Sequence, residues 1–370
     1  MITSKFIVVA DPLLNEYGSC RPPLLLSREF AIKGYQVEIV SLNMNPLIQK
    51  RLEKYGITTQ TLQNKISSAP YSMVWFKLWL IESLFSQNSK KIQNNEGILI
   101  NFSNIVDISS DFWYAQGPPS VTLENIKSNL PWYYKIAYYL GRPLFRFIDM
   151  MNLRRFSTTS RKVVSNSKYL QRIYAQFGVK IDRVIYPPLD CDLFKPQTRR
   201  PSADYVVTYC GKETNVFILK KLADAGIKIK VFGSKMKPSG ILKKHPNIEF
   251  LSMIEDQKLV ELYSNALLTI YPFLDEPFGY VPVESMACGT PVLAFNRHGP
   301  GETILHGVTG WLTNQEEDFI KIAIKVWRNG YPPHMRLECR KRALLFDKRK
   351  IAKEWIELID NTQNNLCNNL

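Results

Sequence analysis

Histidine is nearly missing from this chain of 370 residues: there are four, and none stands before His245. A site that depends on histidine therefore cannot lie wholly within the first half. Cysteine pairing is missing too. Cys20, Cys191, Cys210, Cys288, Cys339 and Cys367 form no C-x-x-C pair, and their spacing fits neither a zinc site nor a disulfide framework. Isolated thiols of this kind point to a reducing, cytosolic location. No apolar run reaches the ~20 residues a membrane span requires; the most apolar stretch, 71–85, is interrupted by Lys77 and Glu82. The opening MITSKFIVVADP has no long apolar segment and reads as a first strand rather than a signal peptide. Acidic groups are in deficit, 33 against 48 Lys and Arg, for a formal charge of +15 and a pI of about 9.4. That balance favours an anionic partner: nucleic acid, an anionic membrane surface or a phosphorylated ligand.

What is present is enough apolar material, 45% of residues, for two packed domains. Short apolar runs alternate with helix-length segments. Strands are expected at 6–10, 37–41, 98–102, 112–115, 163–165 and 184–186. A second set is expected at 205–210, 227–232, 248–251, 267–271 and 292–295. Continuous apolar strands separated by helices indicate α/β architecture, with parallel sheets covered on both faces. Tyr186-Pro187-Pro188-Leu189-Asp190 breaks the rhythm, since paired prolines exclude a helix. The boundary is expected near 190, giving domains of 1–190 and 191–345. A final helix is expected over 346–361, carrying Ile351, Trp355, Ile356, Leu358 and Ile359, with a frayed tail beyond it.

The most informative stretch runs from Asp275 to Pro291: DEPFGYVPVESMACGTP. Pro282 fits the first turn of a helix and Gly289 the position just past its end, so the helix is about two turns long. A helix N-terminus beyond a strand's carboxyl end offers free N–H groups and partial positive charge, a cradle for a diphosphate. Gly279 allows close backbone approach there. Glu284, placed in the first turn, has two readings: a contact to a sugar hydroxyl pair, or a complement to the helix dipole. Glu276, ahead of the helix, can reach a different hydroxyl. Two carboxylates beside a phosphate cradle suit a ligand that is both polyhydroxylated and phosphorylated.

With Glu276 and Glu284 seven residues apart between them, EPFGYVPVESMACGTPVLAF and the later GETILHGVTGWL resemble retaining glycosyltransferase family four. VVSNSKYLQRIYAQFGV followed by VIYPPLDCDLFKP resembles the end of that family's first domain and its linker, and the YPP form resembles lipid-linked-oligosaccharide mannosyltransferases. The resemblance implies a GT-B fold, two Rossmann-like domains facing across a cleft. The first domain would take the acceptor and the second the donor, with the last helix packing back on the first. It implies transfer of a hexose from a nucleotide sugar, GDP-mannose or UDP-hexose, to a hydroxyl of a lipid-linked or envelope glycan. By the same resemblance Glu284 would hold the nucleotide ribose and Glu276 the hexose, while backbone N–H groups around Phe278, Gly279 and Tyr280 would meet the diphosphate or hexose. The first loop departs from the family's Gly-Gly: here it is Tyr17-Gly18-Ser19, and Gly18 and Ser19 are the donor-side candidates. Where the family has Gly-Arg and a later Lys, this chain has Gly211-Lys212. Lys212 is the phosphate candidate, and Lys235 either replaces the second base or is a solvated surface residue.

The strand at 112–115 ends in Gln116-Gly117-Pro118-Pro119, at the kind of edge where such folds place ligands. Gln116 can orient substrate but cannot titrate near neutral pH; its alternative use is to cap the strand's loose backbone. Asp190-Cys191-Asp192 matches a metal-binding D-x-D by pattern, but Asp190 fits better as a cap for the next segment. Metal-independent activity is therefore expected, with no cofactor, the nucleotide sugar being a substrate. Asn101-Phe102-Ser103 is a glycosylation sequon by pattern only. Segment 131–162 holds eight aromatics and seven Lys or Arg against one acid, Asp149. It suits a peripheral membrane contact on the cytoplasmic face, or an ordinary basic helix surface. Two rival readings are a sugar-nucleotide-binding partner subunit without catalysis, and a nucleic-acid-binding protein supported by charge alone. No nucleic-acid partner is expected on the first reading.

Overall fold

The computed structural model describes residues 5–62, 77–83, 92, 97–126, 132–198, 201–202, 204–211, 214–233, 242, 244–273 and 275–367. The chain divides into two compact units: residues 1–188 with 348–370, and residues 189–347. In the first unit β1 (Lys5–Ala10) leads through α1 (Arg21–Ile32), β2 (Gln36–Ser41) and α2 (Pro46–Glu53) to β3 (Thr58–Thr61). Then come β4 (Ile98–Asn101), β5 (Ser110–Ala115), α3 (Pro119–Ile126), α4 (Trp132–Thr159), β6 (Ser160–Ser165), α5 (Lys168–Gln176) and β7 (Arg183–Val184). These strands form one parallel sheet in the order β3-β2-β1-β4-β5-β6-β7.

The second unit runs β8 (Val206–Tyr209), α6 (Val216–Asp224), β9 (Ile229–Phe232), β10 (Ile248–Ser252), α7 (Asp256–Asn265), β11 (Thr269–Tyr271) and α8 (Tyr280–Ala287). It continues with β12 (Val292–Phe295), α9 (His298–Thr303), β13 (Gly310–Thr313), α10 (Glu316–Asn329) and α11 (Met335–Ala343). Its parallel sheet has the order β10-β9-β8-β11-β12-β13. The last helix, α12 (Lys348–Cys367), belongs to the first unit.

The two-sided burial expected of parallel strands is visible in β1. Phe6, Val8 and Ala10 join one core with Leu24, Phe30 and Trp355, whereas Ile7 and Val9 enter another with Val40, Trp79 and Leu99. A strand covered on both faces has no polar side to alternate with, which is why it reads as an unbroken apolar run. Three elements escape that logic. The edge strand β3 is Thr-Thr-Gln-Thr and only half-buried, so it carries no apolar signal. The strand β13 is four residues beginning with a glycine. And α12 continues through the polar residues after Asn361 to Cys367, beyond the fraying expected there.

Helix α4 is 28 residues long and faces two environments. Tyr138, Ile148, Leu153 and Phe156 are buried. On the other side Trp132, Ile136, Tyr139, Leu140, Leu144, Phe147 and Met151 are all exposed, Leu140 at 79%. At 100° per residue these seven fall within an arc of about 140°.

The buried face of α4 also carries Asp149, which has no solvent exposure. Its Oδ2 accepts the Ser120 N–H at 2.6 Å at the start of α3, and its Oδ1 has no hydrogen-bond partner. Burial pushes its carboxyl up to about 7, against the two hydrogen bonds from Ser120 that pull it down. A proton held more tightly folded than unfolded means that this group's contribution is fully present below the ordinary carboxylate value and is lost as pH rises through about 7. Asp149→Asn keeps an acceptor for Ser120 and removes the titration. Denaturant melts should find the variant gaining on the parent by on the order of 3 kcal/mol between pH 4 and pH 8; equal gaps at both pH values would show that the carboxyl is not held protonated.

Candidate active site

In a parallel α/β sheet, ligands collect beyond the carboxyl ends of the strands where the strand order reverses. In the second unit that point lies between β8 and β11. The loop after β8 holds Gly211, whose N–H donates to Thr214 Oγ1 at 2.8 Å. The loop after β11 holds Glu276 and Gly279. Thr214 bridges Phe273, and the Asn215 N–H donates to the Pro272 carbonyl at 3.1 Å, so the two loops are bonded side by side. Lys212 and Lys235 lie outside the described residues.

Helix α8 starts at Gly279, with φ +86°, a conformation glycine adopts without strain. The Glu276 carboxylate lies across this start: Oε1 accepts the Gly279 N–H at 3.3 Å and Oε2 accepts the Tyr271 hydroxyl at 3.2 Å. The Tyr271 ring stacks on Phe273 at 4.1 Å, which fixes the hydroxyl. The Phe278 ring meets Tyr280 edge-on at 5.2 Å and Phe346 at 5.5 Å. The Gly299 N–H donates to the Glu276 carbonyl at 2.9 Å. A Cβ on Gly299 would come within 2.4 Å of the Phe278 backbone, so α9 and the loop touch main chain to main chain.

Glu284 is the fifth residue of α8, just past the first turn in which its sequence places it, and is 4% exposed. Its Oε2 accepts the hydroxyl of the fully buried Tyr263 at 3.0 Å. It therefore does not cap the helix. Residues 282–287 are buried all round because α8 is sandwiched between the sheet and α11. Ser285 Oγ bonds Thr269 Oγ1 at 2.6 Å and donates to the Thr290 carbonyl at 2.9 Å. Arg340 Nη1 donates to the Ala287 carbonyl at 3.1 Å, a cation at the negative end of the helix dipole.

The first unit reverses strand order between β1 and β4. Gly18 and Ser19 are exposed in the loop after β1. After β5, Gln116 Nε2 donates to the Phe102 carbonyl at 2.9 Å, which ties it to the loop after β4. In that loop Ser103 Oγ donates to buried Asp11 and accepts the N–H groups of Ile105 and Val106. Asp190 caps the chain locally, its Oδ1 accepting the Asp192 and Leu193 N–H groups at 3.1 and 3.2 Å. Among the described residues no group of three or more His, Cys, Asp or Glu could hold a metal.

Sequence reasoning missed Tyr263, Tyr271 and the pair His298–Asp275, Nε2 to Oδ1 3.1 Å. No spacing rule links Tyr263 to a carboxylate 21 residues later. Tyr271 was legible only as the end of a strand. Tyr263→Phe should remove the hydroxyl that the buried Glu284 carboxylate accepts and cost about 1–3 kcal/mol of stability in urea unfolding; an unchanged midpoint would mean that this bond adds no stability.

Residues 207–344 match the family model for glycosyl transferases group 1. The alpha-1,3/1,6-mannosyltransferase alg-2 of Neurospora crassa is 37% identical over 89 residues, 23% of this chain and 19% of that protein, so the match spans about a fifth of the relative's length. Among solved structures, sucrose-phosphate synthase from Thermosynechococcus elongatus superposes with a TM-score of 0.72 at 17% identity, over 98% of this chain and 100% of that one. Anabaena Alr3699/HepE in complex with UDP-glucose superposes at 0.63 and 17% identity, over 96% and 99%. The chain has a GT-B fold of two parallel-sheet α/β units, and its residues 207–344 are similar to glycosyl transferases group 1.

Proposed function

We propose that this chain is a hexosyltransferase that moves a hexose from a nucleotide sugar to a hydroxyl of a lipid-linked or envelope glycan, with retention and without a metal ion. The observation that carries the reading is the pair of carboxylates around α8. Glu276 spans the helix start and Glu284 is buried one turn in, at the reversal point of the second sheet. A diphosphate at the helix start meets backbone N–H groups and the positive end of a dipole. Glu276 then lies beside the sugar and Glu284 on the nucleotide side, with Lys212 adding positive charge. The protein contributes position and stabilisation of the leaving diphosphate, whose oxygen takes the acceptor proton. Gln116, which cannot titrate near neutral pH, orients substrate in the first unit. The named relatives support GDP-mannose or a UDP-hexose as donor: one is called a mannosyltransferase and one was solved with UDP-glucose.

The direct test is turnover against a panel of nucleotide sugars, with product linkage determined. Glu284→Gln keeps an acceptor for Tyr263 but removes the charge, and should raise the donor KM roughly tenfold with the fold intact. An unchanged KM in the folded variant refutes the role, and turnover that vanishes in chelator and returns with magnesium or manganese refutes metal independence.

The acceptor class is tied to the exposed stripe of α4. Lys135, Arg142 and Arg146 stand on the same helix as seven exposed apolar side chains, and a basic amphipathic face suits an anionic lipid surface. Each basic residue near such a surface contributes ~1 kcal/mol. No helix among the described residues is long and apolar enough to cross a membrane. Leu140→Glu with Leu144→Glu should abolish co-sedimentation with vesicles containing phosphatidylglycerol while leaving the melting temperature in place; undiminished co-sedimentation sinks the contact.

A further inference from the structure

His298 stands in a backbone conformation uncommon for a non-glycine residue. Its φ is +50°, and among the described non-glycine residues only Ser252 shares a positive φ. That region favours glycine, because a Cβ crowds the neighbouring carbonyl. Strain of this kind persists only where the surroundings hold it, and it concentrates at ligand sites. Here the surroundings are those of the α8 start. The next residue, Gly299, donates its N–H to the Glu276 carbonyl and abuts the Phe278 backbone. The imidazole Nε2 lies 3.1 Å from Asp275 Oδ1, on the residue just before Glu276, with the two side chains 24% and 33% exposed. A pair so open to solvent gains little from its mutual attraction.

We propose that His298, oriented by Asp275, is a specificity-determining residue that recognises a hydroxyl of the transferred sugar beside Glu276. This rests on the donor reading above. Imidazole both donates and accepts hydrogen bonds, and a carboxylate on one nitrogen fixes the ring's orientation and tautomer. A hydroxyl of one configuration meets the ring; its epimer points elsewhere and forgoes that hydrogen bond. Sites built to hydrogen-bond a hydroxyl discriminate in this way more sharply than apolar pockets do.

The test uses the full-length chain with three substitutions: His298→Gly, His298→Asn and Asp275→Asn. Each is assayed for KM and kcat with the parent's preferred nucleotide sugar and with its hexose epimers, and for Kd of the matching nucleoside diphosphate, which lacks the sugar. His298→Gly should raise the donor KM about tenfold and erode epimer discrimination by a similar factor. Nucleoside diphosphate binding should stay within twofold, and the melting temperature should be equal or higher because the strain is gone. Asn tolerates positive φ and keeps a donor and an acceptor, so His298→Asn should recover part of the loss. Asp275→Asn should fall between parent and His298→Gly. An unchanged KM and epimer ratio in His298→Gly overturns the proposal. So does an equal loss of nucleoside diphosphate binding, which would put the histidine's effect on the diphosphate or the fold. If the parent neither binds nor turns over any nucleotide sugar, the donor reading itself fails and takes this one with it.

Discussion

Three guanidinium groups on one helix hold together the edge of the second unit where its helices end and its strands begin. Arg336, 8% exposed, donates to the carbonyls of Thr198 and Ser264, the Thr290 hydroxyl and the Tyr331 hydroxyl. Arg340 donates to the carbonyls of Cys191, Phe194 and Ala287. Arg342 donates to the carbonyls of Glu302 and Thr303. Taking a cation out of water is costly, and carbonyl dipoles offset that cost only when they converge at the right spacing. Misplaced backbone would leave buried charge unpaired, so α11 acts chiefly as a check on geometry. The segment after the prolines, the end of α7, the end of α8 and the end of α9 all answer to it. Glu284 lies on α8 and His298 on α9, so both candidate ligand-facing positions are fixed by a helix that carries no candidate ligand contact itself.

The first unit solves its equivalent problem with aromatic rings. Trp355 of α12 packs against Phe102, Phe112 and Tyr114 with centroids 5.8, 6.1 and 5.5 Å apart. The last helix is thus part of the core beneath β4 and β5, the strands whose loops hold Phe102 and Gln116. Tyr114 extends its hydroxyl to the Ile185 carbonyl at 2.9 Å, tying β5 to the end of the sheet. The chain passes between the units twice. On the second unit's side of the two passages Leu189 and Asp347 form a parallel bridge, and the Leu189 N–H donates to the Phe346 carbonyl at 2.8 Å. Phe346 also packs on Phe278, so the crossing segment touches the loop that begins the candidate donor site.

What the sequence makes legible follows the range of the interactions involved. The parallel strands are read from runs of apolar residues, and α8 from Pro282 and Gly289; both signals sit within ten residues of what they specify. Glu276 and Glu284 stand out for the same reason. The partners that give those carboxylates their geometry do not. Tyr263, Arg336 and Arg340 reach α8 through the fold, and each has an ordinary local context: one tyrosine on a surface-like helix and two arginines in a run of basic residues. The shift of Glu284 out of the first turn has a related cause. Pro282 is allowed at the first position of a helix, but the positive φ of Gly279 starts α8 two residues earlier. The polar strand β3 was invisible because its order comes from pairing with β2 rather than from burial.

The two carboxylates differ in what a ligand would have to disturb. Glu284 is enclosed, bonded to a buried tyrosine and carried by a helix packed between the sheet and α11, so it would offer a ligand a fixed acceptor. Glu276 is half-buried on a loop, and its carboxylate accepts a hydrogen bond from the Gly279 N–H. That N–H is also one of the donors a diphosphate at the helix start would use. A donor diphosphate therefore competes with Glu276 for the same proton, and a carboxylate beside a bound anion is repelled by it as well. The bond to Tyr271 survives this exchange, since the hydroxyl is fixed by ring stacking on Phe273. Glu276 would then turn about the Tyr271 hydroxyl, away from the phosphate and toward the sugar. On the donor reading the hydrogen bond between Gly279 and Glu276 is the one that ligand binding spends, and the carboxylate turns as its hydroxyl partner arrives.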